Sequence, residues 1–392
     1  MMLYNKIHFN IFFILCVLTN AIYPQFRRPI NRHMIYGDDL ILEHPYSRPM
    51  MVRPLQISLP LMITDSDQPL VEMCFGTPTQ CFKLKVVTNF AESFVVMKQS
   101  DHLNGFDITE STSLKMDTKE IDIEFAFNHL KANKATDKLY IKYLDVHIND
   151  FGFYIIKDGF ASEDYSGVLG LGQLYSELKY SFLYMLCLNK VIDKQMFSFN
   201  FPIVGKEGSL NLGEHLHTRS KEYRTIEMIN QKESRYFQTY LTNIMLNGGN
   251  DVKAYNKKQN VLFSPGSNKI YCPKKFFDKV ISKYIVEVKD EFGMCEVVEE
   301  KKYKVISCSK KFIQPGVNNE LGDIRFIFGK WSISFQISEL FHECAINKVC
   351  LDIIYIEGNK QWVMGYPFLK RVSVIFDKEA HVMRVKPNKQ QD

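Results

Sequence analysis

The chain contains no C-x-x-C pair, no N-x-S/T acceptor, no array of short internal repeats, and no apolar run of membrane-spanning length. Without C-x-x-C, and with His215, His217 and His342 outside paired spacing, a structural zinc site lacks its ligands, so no metal is expected. Without an acceptor triplet, N-glycosylation is not expected. A bilayer needs about 20 apolar residues, and the run at residues 11–18 is too short to span one. The absence of periodic repeats excludes solenoids and propellers built from short units. Charge of one sign is also scarce in excess: 49 Lys and Arg stand against 44 Asp and Glu, interleaved along the chain. No basic stripe marks a nucleic-acid surface, so no nucleic-acid partner is expected.

What is present reads as a globular, exported protein. Lys6, the apolar run at 11–18 and the small residues ending at Ala21 have the order of a signal peptide over residues 1–21. Residues 22–54 are rich in Arg and Pro and lack apolar periodicity, as a leader or pro-segment does, and the polar end at 386–392 carries no lipid-anchor signal. A secreted protein without a membrane anchor, and a monomer, is the expectation. Cys16 would leave with the signal. Cys74, Cys81, Cys187, Cys272, Cys295, Cys308, Cys344 and Cys350 remain, an even set that in an exported chain reads as disulfides of open connectivity. Cys74 and Cys81 flank a Gly-Thr-Pro turn and can face each other across a hairpin. Cys272, Cys295, Cys308, Cys344 and Cys350 are the other disulfide candidates.

Short β-branched and aromatic runs separated by turn residues predict strands over 55–59, 70–75, 82–88, 93–97, 121–127, 139–148 and 151–156. Helices are expected only near 180–191 and 273–284, the second opening on Pro273. The class is therefore all-β. Gly167-Val168-Leu169-Gly170 and Trp362-Val363-Met364-Gly365 match in character, each an apolar strand running into a glycine where backbones approach closely, which points to duplication on the scale of half the chain.

Four blocks in order carry a resemblance. They are Cys74-Phe75-Gly76-Thr77-Pro78-Thr79-Gln80-Cys81-Phe82, Tyr165-Ser166-Gly167-Val168-Leu169-Gly170-Leu171-Gly172, Ile192-Asp193-Lys194-Gln195-Met196-Phe197-Ser198-Phe199, and Trp362-Val363-Met364-Gly365-Tyr366-Pro367-Phe368-Leu369 followed by Val374-Ile375-Phe376-Asp377. Over residues 55–387 the chain resembles the pepsin-like aspartic proteases. The resemblance implies a bilobal double β-barrel, with an N-terminal lobe over 55–213 and a C-terminal lobe over 214–392. It also implies a cleft that takes an extended peptide, and no cofactor.

The family's chemistry needs one aspartate per lobe, each in an Asp-Thr-Gly turn, the two sharing a proton because like charges in contact cannot both ionise. Aligned on the blocks, the first motif falls on Val87-Thr88-Asn89-Phe90 and the second on Ser264-Pro265-Gly266-Ser267. Val87 and Ser264 stand where the aspartates belong. Thr88 and Gly266 keep the motif; Asn89, Phe90 and Pro265 depart from it. The family's flap tyrosine is replaced in Phe125-Ala126-Phe127-Asn128. Glu92, five residues after Val87, and Asp278, the first carboxylate after Ser264, are not expected to substitute, and Ser264 has neither an adjacent histidine nor a G-x-S-x-G elbow. The expectation is a non-catalytic homologue that binds a peptide or protein ligand in its cleft. An active endopeptidase with a variant site and a structural secreted protein with a filled cleft are the alternatives.

Overall fold

The computed structural model describes residues 56–99, 104–125, 128–160, 162–202, 205–213, 222–229, 236–247, 252–253, 258–289, 294–300, 302–314 and 321–388. The expected signal and leader, and Ala126, Phe127, His215 and His217, lie outside the described residues. Arg53–Asp392 forms one compact unit.

The fold is built from strands, with a few short helices. In the strand Ile57–Ile63 the buried positions Leu59, Leu61 and Ile63 alternate with exposed ones, the period-two pattern of a sheet wet on one face. Gly167–Gly170 is buried along its whole length, as befits a strand covered on both faces. The expected run at 139–148 is instead two strands, Asn128–Ile141 and Val146–Asp158, joined by a single 3-10 turn at Lys142–Leu144. Asp145 takes a left-handed φ of 52° there, and short polar side chains tolerate that conformation better than the flanking apolar ones.

Both expected helices form. Phe182–Leu188 begins at Ser181, whose hydroxyl accepts from the Tyr184 amide at 3.4 Å, and buries Phe182, Leu183, Met185 and Leu186. Lys274–Phe276 follows Pro273 and continues through wider, π-type turns over Phe277–Ile281 and Lys283–Lys289.

A sheet of 13 strands runs through the molecule. Val372–Asp377 hydrogen-bonds antiparallel to Met196–Asn200, so this sheet passes across the expected division at residue 213. Phe376 stacks on Phe197 at 4.6 Å along that seam. Sheets of nine and four strands complete the second half.

Six cysteines form three local disulfides, Cys74–Cys81, Cys295–Cys308 and Cys344–Cys350. The first closes the expected hairpin, whose register sets Cys74 opposite Cys81. Cys272 corrects its expectation: it is a free thiol, wholly buried in the main core. Cys295 and Cys308 face each other in register and satisfy one another, so Cys272 packs as a small apolar residue and burial raises its pKa well above the ordinary thiol value. Cys187 is free as well, and burial pushes its pKa up to about 12.

Candidate functional site

The arrangement of the two central turns follows from strand pairing. Gln80–Val87 runs parallel to Gly167–Gly170, with Val87 opposite Gly170. Gln259–Phe263 runs parallel to Trp362–Met364, with Phe263 opposite Met364, so Ser264 follows at the level of Gly365. In each half the glycine-bearing strand also pairs antiparallel with a short strand, Phe94–Val96 or Ile270–Tyr271, and that strand lies parallel to a fourth, Val146–Asp158 or Ile353–Ile356. The same four-strand unit therefore occurs twice, with Val87 and Ser264 at its equivalent corners.

The two glycines read in the sequence are explained by this packing. A Cβ on Gly170 would lie 2.1 Å from the carbonyl oxygen of Glu92, and one on Gly365 would lie 2.1 Å from that of Lys269. Glu92 and Lys269 are each the fifth residue past the equivalent corner. In both halves the outgoing chain crosses directly over the glycine, where no side chain fits.

The turns meet despite Asn89, Phe90 and Pro265. A Cβ on Gly266 would lie 2.7 Å from Val87 Cγ1, so only glycine allows this contact. Thr88, fully buried, donates its hydroxyl to the Phe263 carbonyl and ties the halves together. By the internal equivalence Pro265 holds the position of Thr88; it has neither hydroxyl nor amide hydrogen, so the tie is made from one side. On the second turn Ser267 Oγ donates to Ser264 Oγ at 3.1 Å, and the Ser267 amide donates to the Ser264 carbonyl at 3.0 Å.

Val87, Asn89, Phe125, Ser264, Gly266 and Ser267 all line one cavity of about 1010 Å³. Thr88 lies beneath it. Phe125, at the end of the strand Lys115–Phe125, packs edge-on against Phe90 at 5.6 Å and Phe94 at 5.2 Å and covers one wall, as a flap does. Val87, Phe90 and Phe125 thus fill part of the volume, and a cavity remains beside them.

Neither Glu92 nor Asp278 lines this cavity, and Glu124, exposed beside Phe125, is the only carboxylate among the described residues that do. Three lysines line it, Lys85, Lys258 and Lys360. Lys85 escaped the sequence reading, although it lies two residues before Val87 and so on the same face of its strand. Burial lowers its pKa from 10.5 to about 8. Amide side chains, including Gln259, Asn260, Asn268 and Asn359, complete the wall. Asn89 Oδ1 is buried with no hydrogen-bond partner among the described residues. As for metals, the one group of metal-type donors found among the described residues, Glu72 with Cys74 and Cys81, has its sulfurs joined in a disulfide and offers no thiolate.

A β-rich molecule of two repeated halves, with a cavity at the two central turns, has the architecture of the pepsin-like class. The family model for eukaryotic aspartyl proteases matches residues 70–386, and the chain belongs to that family. No curated protein matches the chain.

Proposed function

We propose that this family member is an exported, non-catalytic homologue that binds an extended peptide in the cavity between its two central turns. The observation that carries the reading is that the two equivalent corners opening on that cavity hold Val87 and Ser264, neither of which is acidic. The family's reaction requires one carboxylate to activate water while its partner protonates the carbonyl. A methyl-bearing side chain can do neither, and a serine hydroxyl keeps its proton at neutral and acidic pH, so it serves neither as the base that activates water nor as a carboxylic acid. Each positioned acid or base is worth about 10²–10⁴-fold in rate, so the loss of both removes the catalytic machinery. Glu124 is single and exposed, and a lone carboxylate cannot reproduce the shared proton.

Binding is supported by the amide side chains in the wall, which can pair with a peptide backbone. Export is supported by the three disulfides, which form and persist in oxidising compartments.

The test compares digestion of a denatured protein substrate from acidic to neutral pH by the natural chain and by the Val87→Asp, Ser264→Asp double variant. No cleavage by the natural chain, with cleavage gained by the variant, is expected. Cleavage by the natural chain that a transition-state peptide mimic blocks would overturn the reading.

A further inference from the structure

We infer that the ligand of the cleft is an acidic peptide, and that one of its side-chain carboxylates docks on the Lys85 ammonium. This rests on the peptide-binding reading above and adds the chemistry of the ligand to it.

The argument begins with the strand Gln80–Val87. Leu84 and Val86 point into the main core, so Lys85 and Val87 share the opposite face, which opens on the cavity. The Lys85 stem is held tightly: a Cβ on Gly266 would come within 3.0 Å of its Cε. The side chain therefore lies in the narrow space between the two turns. Its ammonium sits 5.3 Å from the centre of the Tyr165 ring, a contact that offers some electrostatic relief but no hydrogen-bond acceptor. Lys85 makes no ion pair and no hydrogen bond among the described residues.

Most lysines among the described residues are either exposed or paired. Lys269, another partly buried lysine, contacts the Asp352 carboxylate at 2.9 Å, and the buried Lys378 donates to the Leu174 carbonyl at 3.3 Å. Lys85 has lost much of its water without gaining such a partner, and burial accordingly holds its pKa at about 8 with no neighbouring charge contributing. It is still protonated near neutral pH. A desolvated ammonium on a cavity wall is a site where an incoming anion recovers the missing interaction without first displacing an internal counter-ion.

The wider cleft has the same sign. Lys85, Lys258 and Lys360 face it against Glu124 alone among the described lining residues. The position that in the family bears negative charge is thus apolar at Val87, and a positive charge lies two residues away on the same face. This reversal repels basic peptides and favours acidic ones. A carboxylate fits better than a phosphate. Lysine presents a point charge, whereas phosphate recognition draws on the several fixed donors of arginine, and no arginine is among the described residues that line the cavity.

The experiment measures binding of the disulfide-intact chain to pooled, terminally blocked octapeptides carrying a central aspartate or glutamate. The same pool with asparagine or glutamine, and one with phosphoserine, are run in parallel. The acidic pool is expected to bind about tenfold tighter than the amide pool, the value of one charge-assisted hydrogen bond in a desolvated site. In Lys85→Met the ratio of acidic-pool to amide-pool affinity should fall to about one. Equal binding of the acidic and amide pools overturns the inference and leaves the peptide-binding reading standing. Tighter binding of the phosphoserine pool than the acidic pool also overturns it. No binding of any pool overturns both. Because the comparison of pools on the natural chain needs no variant, it holds whether or not Lys85→Met folds.

Discussion

At Lys85 the physics of a single side chain sets both a cost and a function. Its pKa falls from 10.5 in the usual lysine to about 8 here because burial penalises the charged form. A depressed lysine pKa destabilises the fold wherever the amine is protonated in both states, which is the whole range below about pH 8. Between that value and 10.5 the folded chain gives up its proton before the unfolded chain does, so the penalty fades as pH rises. Lys85→Met should therefore be more stable than the natural chain at pH 7 by at most about 3 kcal/mol. Urea titrations of the pair should show that gap closing between pH 8 and pH 10. A gap independent of pH would mean that packing, not charge, sets the difference.

Among elements, the repeated four-strand unit makes the strictest demand on sequence. Gly170 and Gly365 each lie under a carbonyl oxygen 2.1 Å from where a Cβ would be. The obstacle is a backbone carbonyl of the crossing chain, just ahead of the strands Phe94–Val96 and Ile270–Tyr271, and not a side chain that can swing aside. Gly170→Ala and Gly365→Ala are each expected to cost about 3 kcal/mol or more, read as a fall in the urea midpoint. Gly205 has a left-handed φ of 96° and nothing within 4 Å, so Gly205→Ala should lose only about 1 kcal/mol, from the φ preference alone. Equal losses at all three positions would contradict the crossing of the outgoing chain over the two glycines. These glycines were legible in the sequence because a close backbone approach leaves the same mark in both halves. The boundary between Asn128–Ile141 and Val146–Asp158 was not, because Lys142–Leu144 is as apolar as a strand and only the left-handed Asp145 turns it.

Over the whole molecule the last strands matter more than their position at the end suggests. Val372–Asp377 pairs with Met196–Asn200, and Val382–Pro387 pairs with Arg224–Glu227 and with Val372–Asp377. Removing them exposes Phe197, Phe199 and Phe237, which pack on Phe376 at 4.6, 6.2 and 5.1 Å. A chain ending at Arg371 should therefore lose its cooperative urea transition and its near-ultraviolet circular dichroism. Retention of a cooperative transition would mean that the earlier part folds without this seam.

The sequence by itself determined the strand-rich class, the hairpin closed by Cys74 and Cys81, the duplicated glycine strands and the absence of acid at Val87 and Ser264. Each of these is written in neighbouring residues, through alternation, turn chemistry or the identity of one side chain. Only the tertiary structure decided that Thr88 reaches the Phe263 carbonyl across 175 residues, that Cys272 stays unpaired in the core, and that Lys85 faces the same cavity as Ser264. Those contacts join segments whose local patterns are independent of one another. They arise only when two glycine-floored turns are packed close enough to exclude water between them.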